Sequence, residues 1–233
     1  MIDRWKHLRQ GLFRNVEPEV KLVAITKPVG EFADLCTTET LPAFTARASH
    51  ESQGTPEDDL RLNGDLIELC HHVPLESVAM TFYVNGITKS LVGQWTRHRI
   101  GVGWTFRSTR HVSGDQNGFV YHPFDHIDNE EDVKYLLSEM EDSAKEAIAR
   151  FERMRARTPK CRKEDARRIM PVHWNTSCYF YCNARSLRNT FILRLAKKAE
   201  WEIRRLHKIF FEVMMKETPS LFEDFTELAR KEF

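Results

Sequence analysis

Three short stretches constrain the fold of this chain more than anything else in it. "VKLVAI" (21–26), "ESVAMTFYVNG" (76–86) and "VHWNTSCYFYC" (172–182) alternate apolar with polar residues and are rich in β-branched and aromatic side chains, the pattern of half-buried strands. Elsewhere the period changes. Residues 129–157 repeat at helical spacing with many charges. From about 184 to 216, Leu187, Phe191, Leu195, Ala199, Leu206, Phe210 and Val213 mark one apolar side of a helical pattern. Strands this far apart in sequence pair only if the chain returns on itself, and amphipathic helices need a sheet face to cover. The class is therefore α+β, with long helices beside a modest sheet. With 233 residues, 41% of them hydrophobic, the chain can bury one sizeable core, and one domain is expected. Residues 1–19 read as a polar, helical N-terminal extension ahead of a domain spanning 20–233.

Local signals fill in the rest. Thr55-Pro56-Glu57-Asp58 reads as a helix start leading through Leu60–Cys70. "ITKSLVGQWTRHR" (87–99) has apolar residues at helical spacing, and Gly101 and Gly103 should end that helix. Residues 104–128 are aromatic and irregular, which predicts a long loop with at most short strand pieces. A helix near 163–169 stops before Pro171, and a last one spans about 219–231.

Composition narrows the function classes. Lys+Arg number 35 against 34 Asp+Glu, so no overall field draws the chain to nucleic acid or a membrane. No apolar run reaches membrane-spanning length, and "MIDRWKHLRQGLF" lacks a signal-peptide core. A cytoplasmic protein without membrane contact is expected. The cysteines at 36, 70, 161, 178 and 182 are odd in number and form no CxxC, which suits free thiols in a reducing compartment. "HPFDH" (122–126) contains a proline and lacks a third ligand, so no metal site is expected. No G-x-S-x-G elbow points to a nucleophile.

The chemistry concentrates in "QWTRHRIGVGWTFRSTRH" (94–111). It carries Arg97, Arg99, Arg107 and Arg110, with His98 and His111, and no carboxylate. Cations at a helix end are favoured by its dipole, which is the plain explanation for Arg97, His98 and Arg99. The alternative is an anion site. Guanidinium forks pair bidentately with phosphate. Gln94, Arg97 and His98 are spaced to share a helix face, and Ser108, Thr109 and Arg110 return from the loop with further donors. "GVGWTF" is no dinucleotide fingerprint, because Phe106 stands where the third glycine belongs and a helix precedes it. Arg167 and Arg168 precede a proline, and Arg185 and Asn189 share a helix face beside the apolar stripe, where unpartnered polar groups are costly.

Together these sets resemble the motifs of the flavin-dependent thymidylate synthases. Q-x-x-R-H-R followed by S-x-R reads here as Gln94 to Arg99, then Ser108-Thr109-Arg110. "TARAS" (45–49), "HHVPLES" (71–77), "ARRIMP" (166–171) and "NARSLRNTFILRL…AEWEIR" (183–204) follow the family's order over roughly residues 20–225. The resemblance implies a single domain of that family's type, with a mostly antiparallel sheet. It implies transfer of a methylene from methylenetetrahydrofolate to C5 of dUMP, with FAD reduced by NADPH, in a homotetramer with shared active sites. No nucleic-acid partner is implied. Carried over by position, Gln94, Arg97, Ser108, Thr109, Arg110 and Arg167 would bind the pyrimidine nucleotide, with Arg110 and Arg167 at the phosphate. Arg194 would sit at the pyrimidine ring as the catalytic residue, where a guanidinium stabilises developing negative charge. Arg97, His98, Arg99, Asn183, Arg185 and Asn189 would hold the flavin, with Ser49, His71 and Glu76 beside it.

The sequence departs from the pattern in places. The spacing from R-H-R to Ser108 is one residue longer than usual. The usual Asn-Glu pair is replaced within Trp104-Thr105-Phe106, the usual tyrosine after S-x-R is His111, and the usual Asp-Ser-His type run is Ala196-Lys197-Lys198. Two alternatives stay open on these grounds. One is the same chemistry on another pyrimidine nucleotide such as UMP. The other is a non-catalytic nucleotide- or RNA-binding protein stacking bases on Trp104 and Phe106.

Overall fold

The computed structural model describes residues 3–110 and 117–230; His111 lies outside them. Four strands form one antiparallel sheet in the order β1-β2-β4-β3: β1 (Glu19–Ile25), β2 (Ala79–Thr88), β3 (Val102–Phe106) and β4 (Asn175–Asn183). The three stretches read as strands from the sequence are β1, β2 and β4, the last two starting three residues later than expected. Pro74–Ser77 forms a 3-10 turn ahead of β2, because Pro74 cannot donate to a ladder.

β3 is a short strand piece of the kind allowed for in the loop expected from residue 104, and it starts two residues earlier. Val102, Trp104 and Phe106 alternate with Gly103 and Thr105, and the apolar set packs against the core. Trp104 meets Trp95 edge-on with ring centroids 5.9 Å apart, and lies 5.7 Å from Phe180. An edge strand here also disposes of the stacking platform: Trp104 and Phe106 face inward rather than out to a single strand of RNA.

One sheet face is buried under helices. α4 (Lys89–Trp95), α7 (Ala184–Arg194) and α8 (Trp201–Glu217) enclose Phe82, Phe180, Trp95, Leu187, Phe191, Leu206 and Phe210, each at most 1% exposed. The single helical pattern expected over 184–216 is two helices. α7 ends at Arg194, and Glu200 restarts the chain by capping α8, accepting from the N–H groups of Glu202 (3.1 Å) and Ile203 (3.3 Å).

α3 (Pro56–Glu68) begins at the expected start, where Thr55 and Asp58 form a capping box. α5 (Glu130–Arg157) carries Glu130, Glu131 and Asp132 in its first turn and Arg155 and Arg157 in its last, as its dipole favours. Its Val133, Leu137, Ala144 and Ile148 join a second cluster with Trp5, Phe119, Tyr121 and Trp174. α2 (Leu41–Arg47) packs on α3, and α6 (Lys163–Ala166) precedes the 3-10 turn Arg167–Ile169. The expected last helix is two 3-10 turns followed by α9 (Thr226–Arg230).

The N-terminal segment is not the polar helix expected. Only α1 (Lys6–Arg9) is helical, Trp5 is buried in the second cluster, and fully buried Arg9 pairs with Asp3. Arg205 on α8 binds Asp3 at 3.3 Å and Glu17 at 2.9 Å, tying this segment to the core. Among the described residues no helix is long and apolar enough to cross a membrane.

Candidate active site

The candidate residues gather at two ends of the sheet. Antiparallel pairing places Ala79, Val102 and Asn183 together at one end, and Thr88, Phe106 and Asn175 at the other.

At the first end lies an open groove of about 490 Å³ lined by His72, Glu76, Gly101, Asn183, Arg185 and Asn189 among others. Asn183 caps α7 by accepting from the Ser186 N–H at 2.8 Å. Arg185, one residue into that helix, binds Glu76 at 2.5 Å. Gly101 makes the junction possible. Its φ is +65°, and a Cβ there would run into the Ser186 hydroxyl and lie 3.1 Å from the Asn183 amide nitrogen, so only glycine fits on both counts. Arg185 also borders a neighbouring cavity of about 670 Å³ that Ser49 and His71 line. Six of the residues assigned to the flavin by resemblance, Ser49, His71, Glu76, Asn183, Arg185 and Asn189, thus gather on two adjoining cavities. The donor set of guanidinium, carboxamides and hydroxyl suits a dinucleotide's phosphates and ring edges.

At the second end, Arg107 donates its N–H to Ser177 O at 2.9 Å, which pins the chain after β3 beside β4. Thr109, 6% exposed, accepts a hydrogen bond from Arg167 Nη1. Arg110 is exposed and held by Glu164 at 2.8 Å, and its N–H bonds the Ser108 hydroxyl at 3.3 Å. The Arg110 guanidinium holds the Glu164 carboxyl below its ordinary range. These four residues stand together as the sequence suggested.

A third group sits where α4 meets α7. The helix read over 87–99 is only α4, seven residues long, so Arg97, His98 and Arg99 follow it in a turn. Thr96 closes α4 with φ −72° and ψ 0°, and the Arg97 and His98 N–H groups bond Gln94 O and Trp95 O. Gln94 is half-buried on the last turn, while Arg97 and Arg99 are exposed. Arg194, at the end of α7, donates Nε–H to His98 Nε2 at 2.9 Å. His98 is therefore an acceptor and uncharged, not a third cation of the cluster. Burial, then the Arg194 charge, pushes its pKa down, in agreement. Burial and the neighbouring Arg97 lower Arg194 in turn. Arg97, Arg167 and Arg194 make no ion pair among the described residues. Arg97 and Arg194, near enough for their charges to interact and without a carboxylate partner among the described residues, are what an anion site requires.

Three supporting residues escaped the sequence reading. Thr88 caps α4 by accepting from Leu91 N–H. Its own N–H and hydroxyl donate to the two oxygens of Glu202, at 2.7 and 2.6 Å. Burial pushes the Glu202 carboxyl up to about 7. Lys89, the next residue, bonds the Thr176 hydroxyl at 3.0 Å. The "EWEIR" motif was visible, but nothing local paired its second glutamate with a threonine far upstream.

Comparison with known proteins agrees with this geometry. The family "Thymidylate synthase complementing protein" matches residues 29–220. The chain is 31% identical to the flavin-dependent thymidylate synthase of Clostridium tetani over 169 residues, 68% of this chain and 67% of that protein. It is 27% identical to that of Mycobacterium tuberculosis over 199 residues, 79% of this chain and 78% of that one. It is 30% identical to that of Nitratidesulfovibrio vulgaris over 160 residues, 67% of this chain and 64% of that one. The family match covers most of the chain and agrees with these relatives: this chain belongs to the thymidylate synthase complementing protein family.

Proposed function

We propose that this protein is a flavin-dependent thymidylate synthase. It methylates C5 of a uridine-type nucleotide, dUMP to dTMP, with methylenetetrahydrofolate as carbon donor and NADPH as reductant. The observation that carries the reading is that Arg194, bonded to a neutral His98, lies beside Arg97, neither of them with an ion pair among the described residues.

FAD suits the donor set of the first end and, when bound, supplies the redox chemistry that no side chain here offers. Ser49, His71, Glu76, Asn183, Arg185 and Asn189 hold it there, with Arg97, His98 and Arg99 at its edge. Ser108, Thr109, Arg110 and Arg167 take the nucleotide phosphate, and Gln94 and Arg97 orient the base. Arg194 is the catalytic residue. Its charge, fixed by the His98 acceptor and without an ion pair among the described residues, stabilises the negative charge that grows on the pyrimidine as C5 becomes nucleophilic.

The two ends lie about 20 Å apart along β4, the six residues from Ser177 to Asn183 at about 3.3 Å each. The assembly proposed is the one the family resemblance implies, a homotetramer whose sites combine residues from several subunits.

One assay tests the reading: flavin-loaded protein given methylenetetrahydrofolate and NADPH, with dUMP, UMP and dCMP as acceptors and product mass as readout. A mass gain of one methyl on dUMP is expected, and its loss in Arg194→Ala with flavin still bound. Turnover of UMP alone would move the substrate while keeping the chemistry. Full activity in Arg194→Ala would remove the role of that residue.

A further inference from the structure

At the second end of the sheet one cation is unaccounted for. Lys89 is half-buried, yet it makes no ion pair among the described residues. Its Nζ rests on the hydroxyl of Thr176, which is 1% exposed, at 3.0 Å. Thr176 adjoins Ser177, whose carbonyl receives the Arg107 N–H, so Lys89 shares the end of β4 with the segment that carries Ser108 and Thr109. Arg167, hydrogen-bonded to Thr109 and likewise without an ion pair among the described residues, lies close enough to Lys89 for their charges to interact. Its charge adds to burial in pushing Lys89 down. The thiol nearby does not compensate, since burial pushes Cys178 up to about 12 and keeps it neutral. Two cations held in a half-buried corner repel each other, and hydroxyls alone do not offset that.

We infer that Lys89 is a phosphate-binding residue, closing with Arg167 a two-cation clamp on the 5′-phosphate dianion of the nucleotide. The inference rests on the nucleotide reading above and adds a residue to it. Arg167 supplies a planar fork and Lys89 a point charge. The backbone N–H of Lys89 is already engaged by Trp174 O at 3.2 Å, so the side chain alone reaches the ligand. The clamp favours a monophosphate over the free nucleoside and is indifferent to the 2′-position.

The test uses flavin-loaded full-length protein and titrates dUMP, and separately deoxyuridine, by calorimetry and by the nucleotide-induced shift in Tm. Lys89→Met should weaken dUMP binding about 10–100-fold, the size of one lost charge-assisted bond, and leave deoxyuridine binding unchanged. Lys89→Arg should recover most of the loss. A flatter dependence of dUMP affinity on salt should accompany Lys89→Met. Arg167→Met is the control for the underlying reading. If it weakens dUMP while Lys89→Met does not, Lys89 is no part of the clamp. If neither variant affects dUMP, the phosphate site itself is misplaced. If Lys89→Met weakens dUMP and deoxyuridine equally, Lys89 only shapes the fold and the inference is overturned.

Discussion

Glu202→Gln should change how the stability of this protein depends on pH. In the folded chain the carboxyl is 7% exposed and bonded to Thr88 through both oxygens. Burial nevertheless dominates, lifting its pKa from an ordinary 4.5 to about 7. The folded protein thus holds this proton more tightly than the unfolded chain. The resulting stabilisation is complete below about pH 4.5 and is lost as pH rises through 7. At about 1.4 kcal/mol per pH unit, ionising Glu202 costs about 3 kcal/mol by pH 8. A glutamine has the shape of the protonated acid, with one acceptor and one donor, and does not titrate. The difference in unfolding free energy between variant and parent should therefore move by about 3 kcal/mol in the variant's favour between pH 4.5 and pH 8. Groups remote from Glu202 titrate alike in both proteins and cancel. Urea unfolding at closely spaced pH values, followed by tryptophan fluorescence, measures it. Two curves that stay parallel across that range would refute the assignment of the titration to Glu202. The same substitution loosens the cap of α4, so some loss of turnover at fixed flavin content is expected.

Gly101→Ala should cost about 2–3 kcal/mol, from a left-handed φ and the collision with Ser186, and should lower the flavin content; thermal melts and flavin absorbance check both. Trp104→Ala should destabilise by about 2–4 kcal/mol through lost contact with Trp95 and Phe180. It should leave the preference between dUMP and UMP unchanged; a shifted preference would return that residue to the substrate.

Local signals were read well and non-local ones were not. The Thr55–Asp58 capping box and the charged ends of α5 are written within a few residues of each other, and both helices form as expected. Apolar periodicity alone carried α4 too far, since it cannot register the closure at Thr96 or the docking of Gly101 on α7. Glycine at 103 disguised the period-two alternation of Val102, Trp104 and Phe106, so the short strand allowed for in the loop could be given no bounds. Ala196-Lys197-Lys198 contains good helix formers, so the break between α7 and α8 depends on Glu200 acting as a cap. The candidate site followed from motif order, which grouped Thr109 with Arg167 and Glu76 with Arg185. What the motifs could not carry was pairing between distant residues. Glu202 reaches Thr88 because α8 packs beside α4 and the end of β2, and Lys89 meets Thr176 because β2 pairs antiparallel with β4.

The two ends of the sheet also have a genetic meaning. A chain damaged at Asn183 keeps its phosphate corner, and a chain damaged at Arg167 keeps its flavin groove. Under the shared-site proposal, co-expressing the two defective alleles reassembles some whole sites from mixed subunits. Each allele would be null alone and partly functional in company. Damage at Arg194 or His98 would follow only one end, and which allele complements it would tell to which neighbour that pair belongs.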